Sequence, residues 1–138
     1  MNREDYDRYL AAFNGRQYEA VCDFYAEPMD MEFFGVRLRS RADMQRFYAF
    51  LHSYVKESVT VRNFASSSTL AAVDAIVRVE AFRDLDSETL AAQGCAGFFP
   101  VKAGEVQEMR QFIFYTLLDG RIAKVECAIA APPQVSAK

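Results

Sequence analysis

A chain of 138 residues, 51% hydrophobic and 25% charged, has the length of one domain and enough apolar matter for a real core. Its net charge of −3, with no run of Lys and Arg, excludes the basic face that a nucleic-acid backbone requires. Twelve Phe and seven Tyr with no Trp suit an apolar cavity.

Taken in order, Tyr6, Tyr9, Leu10 and Phe13 fall at i, i+3, i+4 and i+7, which predicts a helix from Arg3 to Asn14, capped by Asn2 and ended by Asn14-Gly15. Tyr18, Val21, Cys22 and Tyr25 repeat that spacing in a second helix, which Pro28 should stop because proline has no amide hydrogen to donate. MDMEFFG then reads as a strand. Ser40 and Asp43 resemble a capping box, and behind them Met44, Phe47, Tyr48, Leu51 and Val55 make the longest apolar stripe of the chain, a third helix. Alternation predicts strands from Ser58 to Phe64 and from Leu70 to Arg83. From Asp84 to Glu105 the pattern breaks at Gly94, Gly97, Pro100 and Gly104, as an excursion or lid loop would, with SETLAAQG making one or two helical turns. Val106 to Leu118 and Arg121 to Ala130 read as a hairpin across Asp119-Gly120. One domain over residues 1–131 and a frayed tail over 132–138 complete the reading. Helices first and antiparallel strands later, with one strand between the second and third helix, spell an α+β domain whose strongly curved sheet wraps three helices around a cavity.

Cys22, Cys95 and Cys127 are odd in number, widely spaced and set among apolar neighbours, so they read as free thiols of a reducing compartment. The paired spacings of a metal site are missing. MNREDYDRY is too charged for a signal peptide, and no segment reaches the ~18 uninterrupted apolar residues of a membrane span. A cytoplasmic protein without membrane contact is expected. No Gly-rich phosphate cradle or redox motif is present, so no cofactor is expected either.

The element order resembles that of the NTF2-like superfamily and its SnoaL-like branch, which includes polyketide cyclases, ketosteroid isomerases and scytalone dehydratases. The segments that carry the likeness are YLAAFNGRQYEAVCDFYAEPMDMEFFG, RSRADMQRFYAFL and YTLLDGRIAKVE. It implies a cone-shaped mixed or antiparallel barrel and a homodimer formed through the outer sheet face, where Ile76, Phe82, Phe112 and Phe114 leave apolar area. Laid against ketosteroid isomerases, Tyr9 takes the place of the oxyanion-donating tyrosine, Tyr25 and Tyr48 those of the tyrosines behind it, and Glu32 that of the catalytic carboxylate. Ile113 stands at the second oxyanion donor. RNFASSS resembles a segment of scytalone dehydratases, whose acid and two histidines are replaced here by Asn14, Asn63 and, approximately, Ala81.

Together these readings predict proton abstraction from a small hydrophobic carbonyl compound, leading to isomerisation, cyclisation or dehydration. Glu32 is the expected base, since the wall of an apolar cavity strengthens a carboxylate as a proton acceptor. Period two puts Asp30 on the same face of its strand, and pairing of either acid with Arg37 or Arg39 would remove it from the chemistry. Tyr9, backed by Tyr25 and Tyr48, is the expected oxyanion donor, and His52, the single histidine, the group that returns a proton. Asn63 and Tyr115 are expected to line the cavity, Tyr115 sharing a face with Met109, Gln111 and Ile113. The rival reading is a binding or interaction module that keeps the cavity but does no chemistry; a subunit of an oxygenase assembly is a third.

Overall fold

The computed structural model describes residues 1–137. Helix α1 (Arg3–Asn14) starts at a reciprocal cap, in which the Asp5 N–H donates to Asn2 Oδ1 at 2.8 Å and the Asn2 N–H donates to Asp5 Oδ2 at 3.0 Å. Its stripe of Tyr6, Tyr9, Leu10 and Phe13 is buried as the spacing predicts. Helix α2 (Tyr18–Cys22) is shorter than expected and does not reach Pro28. The chain has already joined the sheet by then: the Ile122 N–H donates to the Phe24 carbonyl at 2.9 Å, and strand β1 (Tyr25–Phe33) runs straight through the proline. Pairing with a neighbouring strand overrides a short helical period, and the proline falls where the register of β1 shifts, a place that tolerates a missing donor.

Phe34 and Gly35, both at positive φ, turn the chain into β2 (Val36–Leu38), a hairpin partner of β1 that the sequence did not reveal. Helix α3 (Arg41–Leu51) is capped by Ser40, whose Oγ accepts from the Asp43 N–H at 3.1 Å; the Asp43 carboxylate accepts from Arg39 instead of closing the box. This helix ends at Leu51, and Val55 opens β3 (Val55–Ser66). Strand β4 (Leu70–Ala81), helix α4 (Ser87–Ala92), β5 (Glu105–Leu118) and β6 (Arg121–Ile129) follow. Asp119 and Gly120 stand at φ 51° and 78°, the left-handed pair that a two-residue hairpin demands. Within the expected frayed tail, Gln134–Ala137 form β7, paired with the start of β5; Lys138 lies outside the described residues.

The sheet runs β2-β1-β6-β5-β4-β3, with β7 beside β5, and β1 is parallel to β6 while the other pairs are antiparallel. Among the described residues seven strands thus form a mixed, open, curved sheet, and four helices pack with it into an α+β domain. On β4 and β5 the odd-numbered residues face the helices and make the core, while Phe112 and Phe114 point to the convex side.

Candidate functional site

Between the concave sheet face and the helices lies a cavity with about 90 Å³ open to the centre of a water-sized sphere. One water needs only about 10–15 Å³ on that measure, so the space suits a small organic molecule and is no packing flaw. Val77, Val79, Met109 and Ile113 form its floor, Phe13 and Leu51 its helical wall. The excursion after β4 closes one end: Leu85 and Val101 bridge to each other, and Phe98 and Phe99 meet Phe34 edge-on across the mouth. Gly97 makes this closure possible, because a Cβ there would stand 2.5 Å from the Phe34 carbonyl oxygen.

A single carboxylate stands among the lining residues, and it is Glu57. Alternation on β3 turns Val55, Glu57 and Val59 inward, leaving the Glu57 side chain 13% exposed. His52, at the C-terminal cap of α3, sits behind it with Nε2 2.9 Å from Glu57 Oε1 and Nδ1 2.8 Å from the Tyr18 hydroxyl. With the carboxylate as acceptor, Nε2 carries the hydrogen of that bond. His52 therefore fixes the orientation of Glu57 from outside the cavity lining. Neither the notable spacing nor any motif marked Glu57; the only signal was its place between Val55 and Val59 on a strand whose inner face needed apolar residues.

Four phenols join the wall. Tyr9 and Tyr25 share a hydrogen bond of 2.6 Å, and Tyr115 shares one of 2.8 Å with Tyr6 behind it. Each pair satisfies one hydrogen and leaves the other to donate elsewhere. Among the described residues the Tyr48 hydroxyl donates only to the Met31 thioether at 3.8 Å, a weak acceptor that a ligand oxygen would displace. Burial pushes the ionisation of Tyr9, Tyr25, Tyr48 and Tyr115 well above the ordinary phenol range, and the charge of Glu57 adds to this at Tyr48 and Tyr9. The phenols stay neutral donors. Burial likewise lifts the Cys127 thiol, another wall residue, to about 12, so it is no nucleophile at neutral pH.

Glu32, the expected base, is exposed on the other side of β1, because Met31 and Phe33 take the inward positions of that strand. Asp30 points outward too and pairs with Arg37 at 3.3 Å. Both acids leave the site. Asn63 also leaves it: a bulge between Val61 and Asn63 reverses the alternation, so Phe64 packs inward against Tyr6 while Asn63 donates to Asp74 Oδ2 at 2.9 Å. Arg110 clamps the same Asp74 with two bonds of 2.9 Å, and Arg110 and Asn63 together hold its carboxyl down at about 2. Tyr9, Tyr25, Tyr48, Ile113 and Tyr115 line the cavity; His52 lies behind the lining, against Glu57, Phe13 and Tyr48. Among the described residues no group of three or more His, Cys, Asp or Glu is gathered to hold a metal ion.

The model of the SnoaL-like domain matches residues 6–125, and the chain belongs to that family, within the NTF2-like superfamily. Solved structures share the fold. A candidate polyketide cyclase from Silicibacter sp. TM1040 is 19% identical with a TM-score of 0.73, over 91% of this chain and 86% of its own. A candidate ketosteroid isomerase from Kribbella flavida is 20% identical with a TM-score of 0.62, over 94% and 78%. A computationally designed 17-OHP binder is 11% identical with a TM-score of 0.69, over 96% and 93%. Among curated proteins none matches the chain.

Proposed function

We propose that this protein is an isomerase-, cyclase- or dehydratase-type enzyme that needs no cofactor and acts on a small hydrophobic carbonyl compound, with Glu57 as the base. The carrying observation is the position of Glu57, the carboxylate of a wall otherwise made of apolar side chains, phenols, one thiol and two amides, held by His52 at 2.9 Å. In this scheme the Glu57 carboxylate takes a proton from the carbon beside the carbonyl, and the C–H electron pair moves onto the carbonyl oxygen as an enolate. Tyr48 and the spare hydrogen of the Tyr9–Tyr25 pair donate to that oxygen, which stabilises it most where water is excluded. Glu57 then returns the proton at another carbon, or to an oxygen after a carbon–carbon bond has formed. His52 is a positioning residue.

The test is α-proton exchange of 2-tetralone in deuterated water, followed by NMR. Wild type should accelerate it, Glu57→Gln should lose roughly 10²–10⁴ of that rate, and Glu32→Gln should match wild type. Equal rates for wild type and Glu57→Gln would refute the assignment. A second reading, a binding module without chemistry, is favoured by the designed 17-OHP binder, in which this fold serves binding. We also infer that two copies pair through the convex face, where Phe112 and Phe114 remain 44% and 50% exposed.

A further inference from the structure

Gln111 has no part in the chemistry proposed above, yet its side chain is the odd one in the cavity. It stands on the concave face of β5 between Met109 and Ile113, lines the cavity, and is only 6% exposed. Its amide has no hydrogen-bond partner among the described residues. The neighbouring Gln107, by contrast, donates to the Pro100 carbonyl at 3.5 Å, and each wall phenol donates to or accepts from another side chain. Among the described residues no sealed polar atom lacks a partner, so the Gln111 amide is open to the cavity space itself. A buried amide facing an apolar space is costly unless something in that space bonds to it.

Position adds the chemistry. Across the sheet Glu57 stands opposite Val79, and Val79 opposite Gln107, so the base and Gln107 share one row. Gln111 is four residues further along β5, about 13 Å at roughly 3.3 Å per residue. Its own row holds Ala75 on β4, small enough to leave room beside the amide. The cavity therefore has a carboxylate at one level and a free amide, donor and acceptor together, at another, with Val77 and Met109 between them.

We propose that Gln111 is the specificity-determining residue of the cavity. It hydrogen-bonds a hydroxyl or second carbonyl that the ligand carries at the end remote from its acidic C–H. The substrate class is then a ring compound oxygenated at both ends, with an apolar middle. This deepens the function proposed above and rests on the same cavity and on Glu57 marking its reactive end.

The experiment compares 2-tetralone with 6-hydroxy-2-tetralone, which adds a hydroxyl across the ring system from the ketone, by calorimetric titration of wild type, Gln111→Met and Glu57→Gln. Wild type should bind the hydroxylated ketone about tenfold more tightly, the worth of one well-made hydrogen bond. In Gln111→Met the two affinities should become equal, and the variant should melt no lower than wild type, since it gives up an unbonded amide. Glu57→Gln should keep the tenfold preference while losing proton exchange. Wild type that binds both ketones equally, or neither, overturns the proposal. So does a preference that survives in Gln111→Met, or a Gln111→Met protein that melts lower because the amide was structural. A retained preference without any catalysed exchange would sink the base assignment and leave Gln111 standing; exchange that depends on Glu57 without any preference would do the reverse.

Discussion

Five of the tyrosines, Tyr6, Tyr9, Tyr25, Tyr48 and Tyr115, ionise only above the ordinary phenol range because burial disfavours the anion. A group whose folded pKa lies above its unfolded one contributes stability that is complete below the unfolded value and is lost as pH rises beyond it. Stability should therefore fall above about pH 10, and absorbance at 295 nm should show these phenols ionising together with unfolding; smooth titration of all the tyrosines in the native state would refute it. Asp74 works in the other direction. Its depressed carboxyl contributes stability above the unfolded value near 3.8 that is lost as pH falls toward about 2, so the difference in melting midpoint between wild type and Asp74→Asn should shrink across that interval. A difference that is constant from pH 6 to pH 2 would contradict it. Period made most of these phenols legible from the sequence, because Tyr6, Tyr9 and Tyr48 lie on helical stripes and Tyr115 on the inner face of an alternating strand; Tyr25 turns inward although its expected helix gave way to β1. The carboxylate was not legible: Glu32 stands between Met31 and Phe33, whereas Glu57 stands between Lys56 and Ser58 with Val55 and Val59 on its own face, and which face turns inward is set by strand partners distant in the chain.

At the level of elements, helix α1, the core of α3 and the Asp119-Gly120 hairpin could be read directly, since each has a local cause: a cap, a stripe or a left-handed turn pair. Where local causes competed with pairing, the sheet won. Helix α2 yielded to β1 at Tyr25, α3 stopped short of Val55, and a bulge sent Asn63 to the convex face. The excursion from Asp84 to Glu105 was recognisable as irregular, but its role as an end wall came from the bridge between Leu85 and Val101 and from the packing of Phe98 against Phe33, Phe34 and Phe47, which are long-range contacts. Gly97 holds that wall against the turn after β1. Gly97→Ala drives a Cβ into the Phe34 carbonyl, and neither backbone can yield without opening the mouth. The substitution should cost about 1–3 kcal/mol, a fall of about 5 °C or more in melting midpoint, together with weaker binding of 2-tetralone. An unchanged midpoint would show that the excursion is not packed as a wall.

For the whole molecule, the sheet's curvature gives two unlike faces from one set of strands. The concave face holds the cavity, and the convex face offers Phe112 and Phe114 with Arg110 lying over the Phe112 ring at 5.3 Å. Light scattering should find two chains per particle for wild type and one for Phe114→Glu, with the fold retained; a monomeric wild type would contradict pairing through this face. The association of Glu57 with the ligand space and with His52 is the centre of the account, and the chain's single histidine allows it to be read without assignment ambiguity. The most direct measurement is the 15N NMR spectrum of the imidazole in histidine-labelled protein, with and without 2-tetralone. The Nε2 resonance should move in Glu57→Gln and on adding 2-tetralone, and should stay in place in Glu32→Gln. A resonance that ignores Glu57→Gln and the ketone, or that answers to Glu32→Gln, would mean that the cavity's base is not where we place it.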